Sequence, residues 1–248
     1  MLQKQSQAVI VYHATRSAVS CYGLSGQILY NGEDVWAENY NRRALRSEVG
    51  LVFQYPEHQL FENTVLADVC FGPMNQGLSR EQAEKEAKKA LAHVGVKEEN
   101  FTKSPFELSG GQKKRVAIAG VLAMNPKILI LDEPTAGLDP QGRDDILDQI
   151  AALHKMRGIT IILVSHSMED IAKYVERLIV MNHGEMVFDD TPKNVFSHYK
   201  ELEGMGLAAP QITYIMHALS ENGLNVDTTA TTVKEARDTI LEALKKQK

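Results

Sequence analysis

The sequence contains little cysteine and no long apolar run. Its two cysteines, Cys21 and Cys70, provide neither a disulfide framework nor the spacing of metal ligands, as is typical of a protein in a reducing compartment. No apolar run approaches the roughly 18 residues that a membrane-spanning helix requires. The apolar residues 8–12 are too few for the core of a signal peptide. Any role at a membrane must therefore depend on a partner protein.

An excess of positive charge is also missing. The net charge is −5 at pH 7, whereas nucleic-acid-binding proteins usually carry a basic patch or a high isoelectric point. We therefore expect no nucleic-acid partner. The hydrophobic share of 44% and the charged share of 24% are ordinary for a globular protein. With 248 residues, the chain is long enough for one large domain and a small extension.

Strand and helix patterns alternate along most of the chain, which predicts an α/β fold with a parallel sheet. Strands are predicted at 27–30, 49–53, 127–131, 160–164, 178–181 and 185–188, and residues 8–12 could form another. Helices are predicted at 79–94, 109–124, 144–156 and 168–175. Two of these helices begin with a capping box, formed by Ser79 with Gln82 and by Ser109 with Gln112.

The C-terminal segment is predicted to contain two more helices, at 210–220 and 233–246. Apolar residues of the second share one helix face. They are Val233, Ala236, Ile240, Leu241 and Leu244. Such a face can pack on the main domain or contact a second subunit, and the pattern favours neither.

A helix start with two glycines is the first chemical signal. Leu108-Ser109-Gly110-Gly111-Gln112 places a hydroxyl and two glycines where free N–H groups and the helix dipole favour an anion. Glycine lets a phosphate approach the backbone closely. Similar turns are common as simple helix caps, so the motif gains meaning only from its neighbours.

Two acidic residues follow the buried strand 127–131. A carboxylate at the C-terminal edge of a parallel sheet lies where α/β folds bind ligands. Asp132-Glu133 resembles the Walker B element, which implies that Asp132 would hold Mg²⁺ and that Glu133 would orient or deprotonate an attacking water. The alternative is a strand that simply ends in acidic residues. The position of the pair, one strand after the Ser109 helix, favours a functional role.

Together these motifs resemble those of the ATP-binding-cassette (ABC) ATPases. Residues 108–119 resemble the ABC signature, and Asp132-Glu133 resembles the Walker B element. The resemblance implies ATP and Mg²⁺ as cofactors, and a second cassette as partner. It implies that Ser109, Gly110, Gly111 and Gln112 bind the nucleotide of the opposite subunit.

The same resemblance assigns three further residues. Gln54 follows its strand as the Q-loop glutamine does, which implies a ligand of Mg²⁺ and water. Asp139 stands in residues 136–139, which resemble the D-loop that touches the partner subunit. His166 follows strand 160–164 as the switch histidine does, which implies contact with the γ-phosphate. Glu133, His166 and Gln54 are therefore the implied catalytic residues.

Residues 53–61 resemble a narrower group, the cytoplasmic ATPases of energy-coupling factor (ECF) transporters, including the cobalt type. These ATPases work in pairs at the cytoplasmic face of the membrane, on a transmembrane coupling protein and a separate substrate-binding membrane protein. Together they import vitamins or transition-metal ions. The resemblance implies a groove for a coupling helix at residues 56–72, with Glu57, His58 and Phe61 among its residues. Glu57 could attract a basic residue there, or could be merely solvated.

The resemblance also implies a domain division. Residues 1–23 match no pattern, and residues 24–202 correspond to the ABC domain, with a helical subdomain at about 56–124. Residues 203–248 form a C-terminal helical extension with a possible dimer contact.

The phosphate loop of the family has no counterpart in the sequence. That loop requires Gly-x-x-x-x-Gly-Lys-Ser/Thr, yet the chain contains no Gly-Lys dipeptide. Counting back from Ser25-Gly26 places the loop near residues 3–11, which contain no glycine. The N-terminal strands and the adenine-stacking aromatic of the family are also unmatched. We therefore expect weak or no ATP binding at the chain's own half-site.

Alternatives stay open for the origin and role of such a chain. The N-terminus can result from a frameshift, a deletion or a misassigned start, or the chain can be a degenerate subunit that only completes its partner's ATP site. A soluble ABC ATPase acting on DNA or ribosomes is a further alternative. The short helical segment between Gln54 and Ser109, and the presence of one cassette only, argue against it.

Overall fold

A computed structural model describes residues 8–12 and 28–246 of the chain. In these residues the strands are β1 Ala8–Tyr12, β2 Leu29–Tyr30, β3 Glu33–Asp34, β4 Val49–Val52, β5 Ile128–Asp132, β6 Thr160–Val164, β7 Arg177–Asn182 and β8 Glu185–Asp190. The α-helices are α1 Arg42–Glu48, α2 Val65–Asn75, α3 Arg80–His93, α4 Gly110–Leu122, α5 Pro140–Arg157, α6 Met168–Tyr174, α7 Pro192–Ser197, α8 Tyr199–Gly204, α9 Gln211–Glu221 and α10 Val233–Lys246.

Most predicted elements are present, with ends that differ from the prediction by a few residues. The capping boxes of α3 and α4 are both formed, by Ser79 with Gln82 and by Ser109 with Gln112. Helix α5 begins before residue 144, because the Asp139 carboxylate caps it by accepting a hydrogen bond from the Gly142 N–H at 3.0 Å.

Helix α2 was not predicted from the sequence. Its N-cap is formed by the Thr64 hydroxyl, which accepts a hydrogen bond from the Ala67 N–H at 3.2 Å. Pro73 lies inside the helix, and a proline there normally argues against helix. Val65, Val69 and Cys70 are buried on one side of it, so packing outweighs the local preference.

The described chain divides into two compact units. The first contains β1, residues 131–133 and all elements from β6 to α10; the second contains the elements from β2 to α5 other than residues 131–133. In the first unit, the strand order is β6-β1-β7-β8. Strand β1 is parallel to both β6 and β7, and β8 is antiparallel to β7. The end of β5 lies beside the end of β6, because the Glu133 N–H donates to the Val164 carbonyl at 2.9 Å.

Strand β1 occupies a central position in this sheet. Counting from Ser25-Gly26 placed the phosphate loop near residues 3–11, but residues 8–12 form a strand between β6 and β7. One N-terminal strand is thus present where the resemblance implied that such strands are missing. Its parallel pairing places its C-terminal end at the same edge of the sheet as the end of β6.

The buried side of β7 belongs to the core of the first unit. Leu178 is only 1% exposed, whereas Met186 on the neighbouring strand β8 is 60% exposed. We expect Leu178→Ala to lower the free energy of unfolding by about 2–5 kcal/mol. Met186→Ala, the matched control, should change it by less than about 0.5 kcal/mol. Urea denaturation followed by circular dichroism measures both, and equal effects would contradict this placement of the core.

The C-terminal helices α9 and α10 pack on each other in the first unit. Met216, Ala230 and Ala236 form a buried cluster, against which Ile212, Leu219, Val226 and Ile240 pack. The predicted apolar face of α10 is therefore divided. Ala236 and Ile240 face the cluster, while Val233, Leu241 and Leu244 are 72%, 49% and 47% exposed. Ala243, 5% exposed, belongs to the buried side instead, because it follows Ala236 by two helical turns.

In the second unit, α2 and α4 approach closely at a glycine. A Cβ atom on Gly72 would lie 3.4 Å from the Gly120 carbonyl oxygen of α4, and 2.7 Å from the side chain of Met124, which follows the end of α4. The second distance is too short for a normal contact. The glycine therefore lets the two helices meet. Val116, Ile118 and Ala119 of α4 are fully buried, so α4 is the central helix of this unit.

A polar cluster in the second unit makes a contribution to stability that depends on pH. The Tyr30 hydroxyl donates to Glu48 at 2.7 Å, and the Lys127 ammonium contacts the same carboxylate at 2.7 Å. The hydrogen bond to Glu48 raises the pKa of Tyr30 to about 12, while Lys127 and then Tyr30 lower the pKa of Glu48. The contribution of Tyr30 to stability is therefore complete below about pH 10 and lost as the pH rises through about 12. The contribution of Glu48 to stability is present above about pH 4.3, and it is lost as the pH falls through the lowered pKa of this carboxylate.

We expect the Tyr30 phenol to remain mostly protonated at about pH 11, and to become mostly ionised there in Glu48→Gln. Carbon-13 shifts of the tyrosine rings, assigned with Tyr30→Phe, measure this. The same titration midpoint in both proteins would contradict the hydrogen bond.

Candidate active site

Glu133 follows β5 in a strained conformation. Its φ angle is +47°, in the left-handed region that costs a non-glycine residue about 1–3 kcal/mol and that clusters at functional sites. The hydrogen bond from its N–H to the Val164 carbonyl holds the turn in place. Its side chain is only 15% exposed, so the turn directs the carboxylate away from bulk solvent.

His166 contacts this carboxylate. The distance between His166 Nδ1 and Glu133 Oε1 is 2.7 Å, and the imidazole is 83% exposed. The loop after β6 is fixed on both sides of the histidine, since the Ser167 N–H donates to the buried Ser165 hydroxyl at 3.1 Å. The Ser167 hydroxyl in turn caps α6. Two residues predicted separately from the sequence are therefore brought together at one edge of the sheet.

Asp132 is the residue that the motif assigns to Mg²⁺. It ends β5 and is partly exposed. In the described ranges its carboxylate accepts no hydrogen bond and makes no ion pair, and no cluster of three acidic, histidine or cysteine residues suited to a metal is present. Magnesium usually takes one or two carboxylates and fills its other positions with water and phosphate oxygens. A single unpaired carboxylate fits that requirement.

The signature residues begin α4 in the second unit. The Ser109 hydroxyl accepts from the Gln112 N–H at 3.4 Å, and the Gln112 amide oxygen accepts from the Ser109 N–H at 3.0 Å. A Cβ atom on Gly110 would meet no described heavy atom within 4 Å, and the φ angle of Gly110 is not positive. Neither packing nor backbone conformation in this chain therefore requires glycine at position 110. An approaching phosphate would require it.

Gln54 and Asp139 lie elsewhere in the second unit. Gln54 is exposed just after β4, and Asp139 caps α5. A Cβ atom on Gly111 would lie 3.4 Å from the Leu138 side chain, so the signature helix packs against the segment that leads to Asp139.

The second unit contains a groove of about 610 Å³, and some of the residues that line it lie within 56–72, where a groove for a coupling helix is predicted. Phe61 lines it and packs edge-to-face on Phe71, with ring centroids 4.9 Å apart. Arg43 and Arg46 of α1 also line it. Glu57 and His58 lie on the short 3₁₀ helix Pro56–Gln59, and the residues that line the groove do not include them.

Lys114 is a residue that the sequence motifs did not predict. This lysine is 1% exposed inside the signature helix. It shares the helix face of Ile118 and Leu122, and a charge at a position with that apolar spacing was the available signal.

The comparisons with known proteins define the class. A family model described as ABC transporter matches residues 18–136. The solved structure of cbiO1 from Clostridium perfringens, part of the ABC transporter complex cbiONQ, is 34% identical, with a TM-score of 0.67 over 87% of this chain and 89% of that one. A dimeric ATP-binding cassette, MJ0796 with ADP and Pi, is 23% identical with a TM-score of 0.61 over 77% of this chain and 88% of that chain, and it supports the fold alone. The chain has the ABC ATPase fold, as predicted.

Curated relatives narrow the class. The energy-coupling factor transporter ATP-binding protein EcfA2 of Clostridium perfringens is 52% identical over 222 residues, which are 89% of this chain and 78% of the relative. EcfA2 of Caldanaerobacter subterraneus is 50% identical over 220 residues, or 89% of this chain and 77% of the relative. The chain belongs to the family of energy-coupling factor transporter ATP-binding proteins, which confirms the family predicted from residues 53–61. In the described residues, no helix is both long and apolar enough to cross a membrane.

Proposed function

We propose that the chain is an ATP-binding subunit that energises an ECF-type importer of vitamins or transition-metal ions from the cytoplasmic face of the membrane. The observation that carries this proposal is the contact between Glu133 and His166 at 2.7 Å. An acid and a histidine joined in this way at the carboxyl edge of a sheet suit phosphoryl transfer to water. The identity of 52% to an EcfA2 protein supports the transporter assignment.

Glu133 is the proposed general base. Its carboxylate accepts the proton of the attacking water, and the contact with Nδ1 of His166 orients it. That contact leaves Nε2 of the exposed imidazole free to face a phosphate oxygen. Asp132 would hold Mg²⁺, which would supply positive charge to offset that of the phosphate. The family resemblance proposes Gln54 as a ligand of Mg²⁺ as well.

The signature acts on the opposite subunit. Ser109, Gly110, Gly111 and Gln112 are proposed to bind the nucleotide held by a second ABC subunit, with Asp139 at the same interface. The open space beside Gly110 supports this role. The exposed Val233, Leu241 and Leu244 of α10 are proposed as part of the contact between the subunits, within the extension 203–248.

The chain's own half-site is expected to bind ATP weakly. A micromolar site represents about 8 kcal/mol of binding free energy, while an exposed helix terminus contributes about 0.3–1 kcal/mol. One carboxylate and one histidine do not replace a phosphate loop. The alternative is a degenerate role, in which only the partner's site works, and the identity of 52% to an EcfA2 protein favours the energising role over it.

The groove is the proposed contact with the transmembrane coupling protein, with Glu57, His58 and Phe61 at or near it. The test is co-expression of the tagged chain with a second ATP-binding subunit and the two membrane components of an ECF transporter. We expect the four proteins to purify together with ATPase activity, and Phe61→Lys to remove the membrane components. Phe61 is 57% exposed and Met156, outside the groove, is 64% exposed, so Met156→Lys is the matched control.

Retention of the membrane components by Phe61→Lys would exclude the groove as their contact. Purification of the unaltered chain without any membrane component would contradict the proposed function itself.

A further inference from the structure

Lys114 is a charged residue in the interior of the second unit. It is 1% exposed, and burial lowers the pKa of its ammonium, while the charge of Glu57 opposes that shift. A buried charge is costly unless its partners keep their positions. Its surroundings therefore restrict how the neighbouring segments can move.

One partner belongs to the segment that ends at Asp139. The Lys114 ammonium donates a hydrogen bond to the Ala136 carbonyl. The Leu138 N–H of the same segment donates to the Thr135 carbonyl at 3.2 Å, and Asp139 then caps α5. The position of Asp139 thus depends on a short turn that Lys114 holds from inside.

The other partners of Lys114 are Tyr55 and Glu57, in the segment just after Gln54. The Lys114 ammonium lies 5.9 Å from the centre of the Tyr55 ring, within the range of a cation–π interaction. Tyr55 has a φ angle of +58°, a strained conformation for this residue. Glu57 Oε2 is buried and has no hydrogen-bond partner in the described chain, so the nearby ammonium charge is what offsets its burial.

We propose that Lys114 is a positioning residue that couples the segment 55–57 to the segment 135–138. One ammonium serves both segments, so a shift of Tyr55 or Glu57 changes the strength with which Lys114 holds Ala136. In the assembled transporter, and this part rests on the proposed function, the coupling passes occupancy of the groove near Phe61 to Asp139 at the subunit interface.

The test is a double-mutant cycle read by amide hydrogen exchange on the full chain without nucleotide. Glu57→Gln should change the exchange rate of a peptide covering 134–139 by about twofold or more, because contacting residues usually show coupling of this size. In Lys114→Met the same Glu57→Gln change should have no effect on that peptide. Lys113→Met, the neighbouring lysine of the same helix, is the matched control and should preserve the effect.

Lys114→Gln gives a second variant that keeps a donor for Ala136 but removes the charge, and it too should abolish the effect of Glu57→Gln. The proposal would be overturned if Glu57→Gln changed the exchange rate of the peptide covering 134–139 equally in the unaltered protein, in Lys113→Met and in both Lys114 variants. Global unfolding of both Lys114 variants would also overturn it, because Lys114 would then serve the fold alone. The exchange experiment uses the chain without a partner protein. Its result can therefore be interpreted even if the chain proves not to energise a transporter.

Discussion

Gly110→Asp is expected to lower ATP hydrolysis by the assembled transporter by about 100-fold or more, the cost of removing one essential stabilising contact in a transition state. The reason is that Gly110 begins α4 beside open space, where a phosphate of the opposite subunit would bind. A carboxylate there occupies the space and repels the phosphate. The fold should not suffer, because an acidic residue in the first turn of a helix is favourable.

A matched control is available at Gly204. A Cβ atom there also meets no described heavy atom within 4 Å, and the φ angle of Gly204 is not positive. Gly204→Asp should leave hydrolysis within about twofold of the unaltered complex, as is usual for surface substitutions. Thermal unfolding of both isolated variants shows that they are folded. Normal hydrolysis by the Gly110→Asp complex would exclude a role of this signature at the partner's nucleotide.

The elements that position the candidate active site and the signature were predicted from the sequence more closely than the elements that line the groove. Strand β6 and the capping boxes of α3 and α4 were predicted because local patterns specify them. Helix α2 was not, because Pro73 contradicts a helix locally and only the buried Val65 and Val69 outweigh it. Tertiary packing, which a single sequence does not display, decided that segment.

The candidate active site was likewise predicted only in part. The order of Asp132, Glu133 and His166 along the chain predicted that they lie at strand ends, because parallel strands end at a common edge. Their order did not predict the left-handed turn at Glu133, or the contact of its carboxylate with Nδ1 of His166. Those depend on the hydrogen bond between the ends of β5 and β6, which joins residues distant in sequence.

Glu133→Gln is expected to abolish hydrolysis at the chain's own site once that site has a phosphate loop. The residues before Ser25 would be replaced by a segment that contains Gly-x-x-x-x-Gly-Lys-Ser/Thr. In this version Gly110→Asp silences the partner's site, so the remaining hydrolysis belongs to the chain's own residues. Removing the base should then lower the rate by about 100-fold or more.

ATP binding by the grafted chain should survive Glu133→Gln, because the amide oxygen of glutamine can still accept a hydrogen bond from Nδ1 of His166 where the carboxylate does now. A lower rate of hydrolysis with unchanged affinity for ATP indicates that a general base, rather than a contact with ATP, has been lost. Glu176→Gln, an exposed acid before β7, should change neither quantity. If hydrolysis continued at the parent rate in Glu133→Gln, the water would be activated elsewhere, and the strained turn at Glu133 would need another purpose.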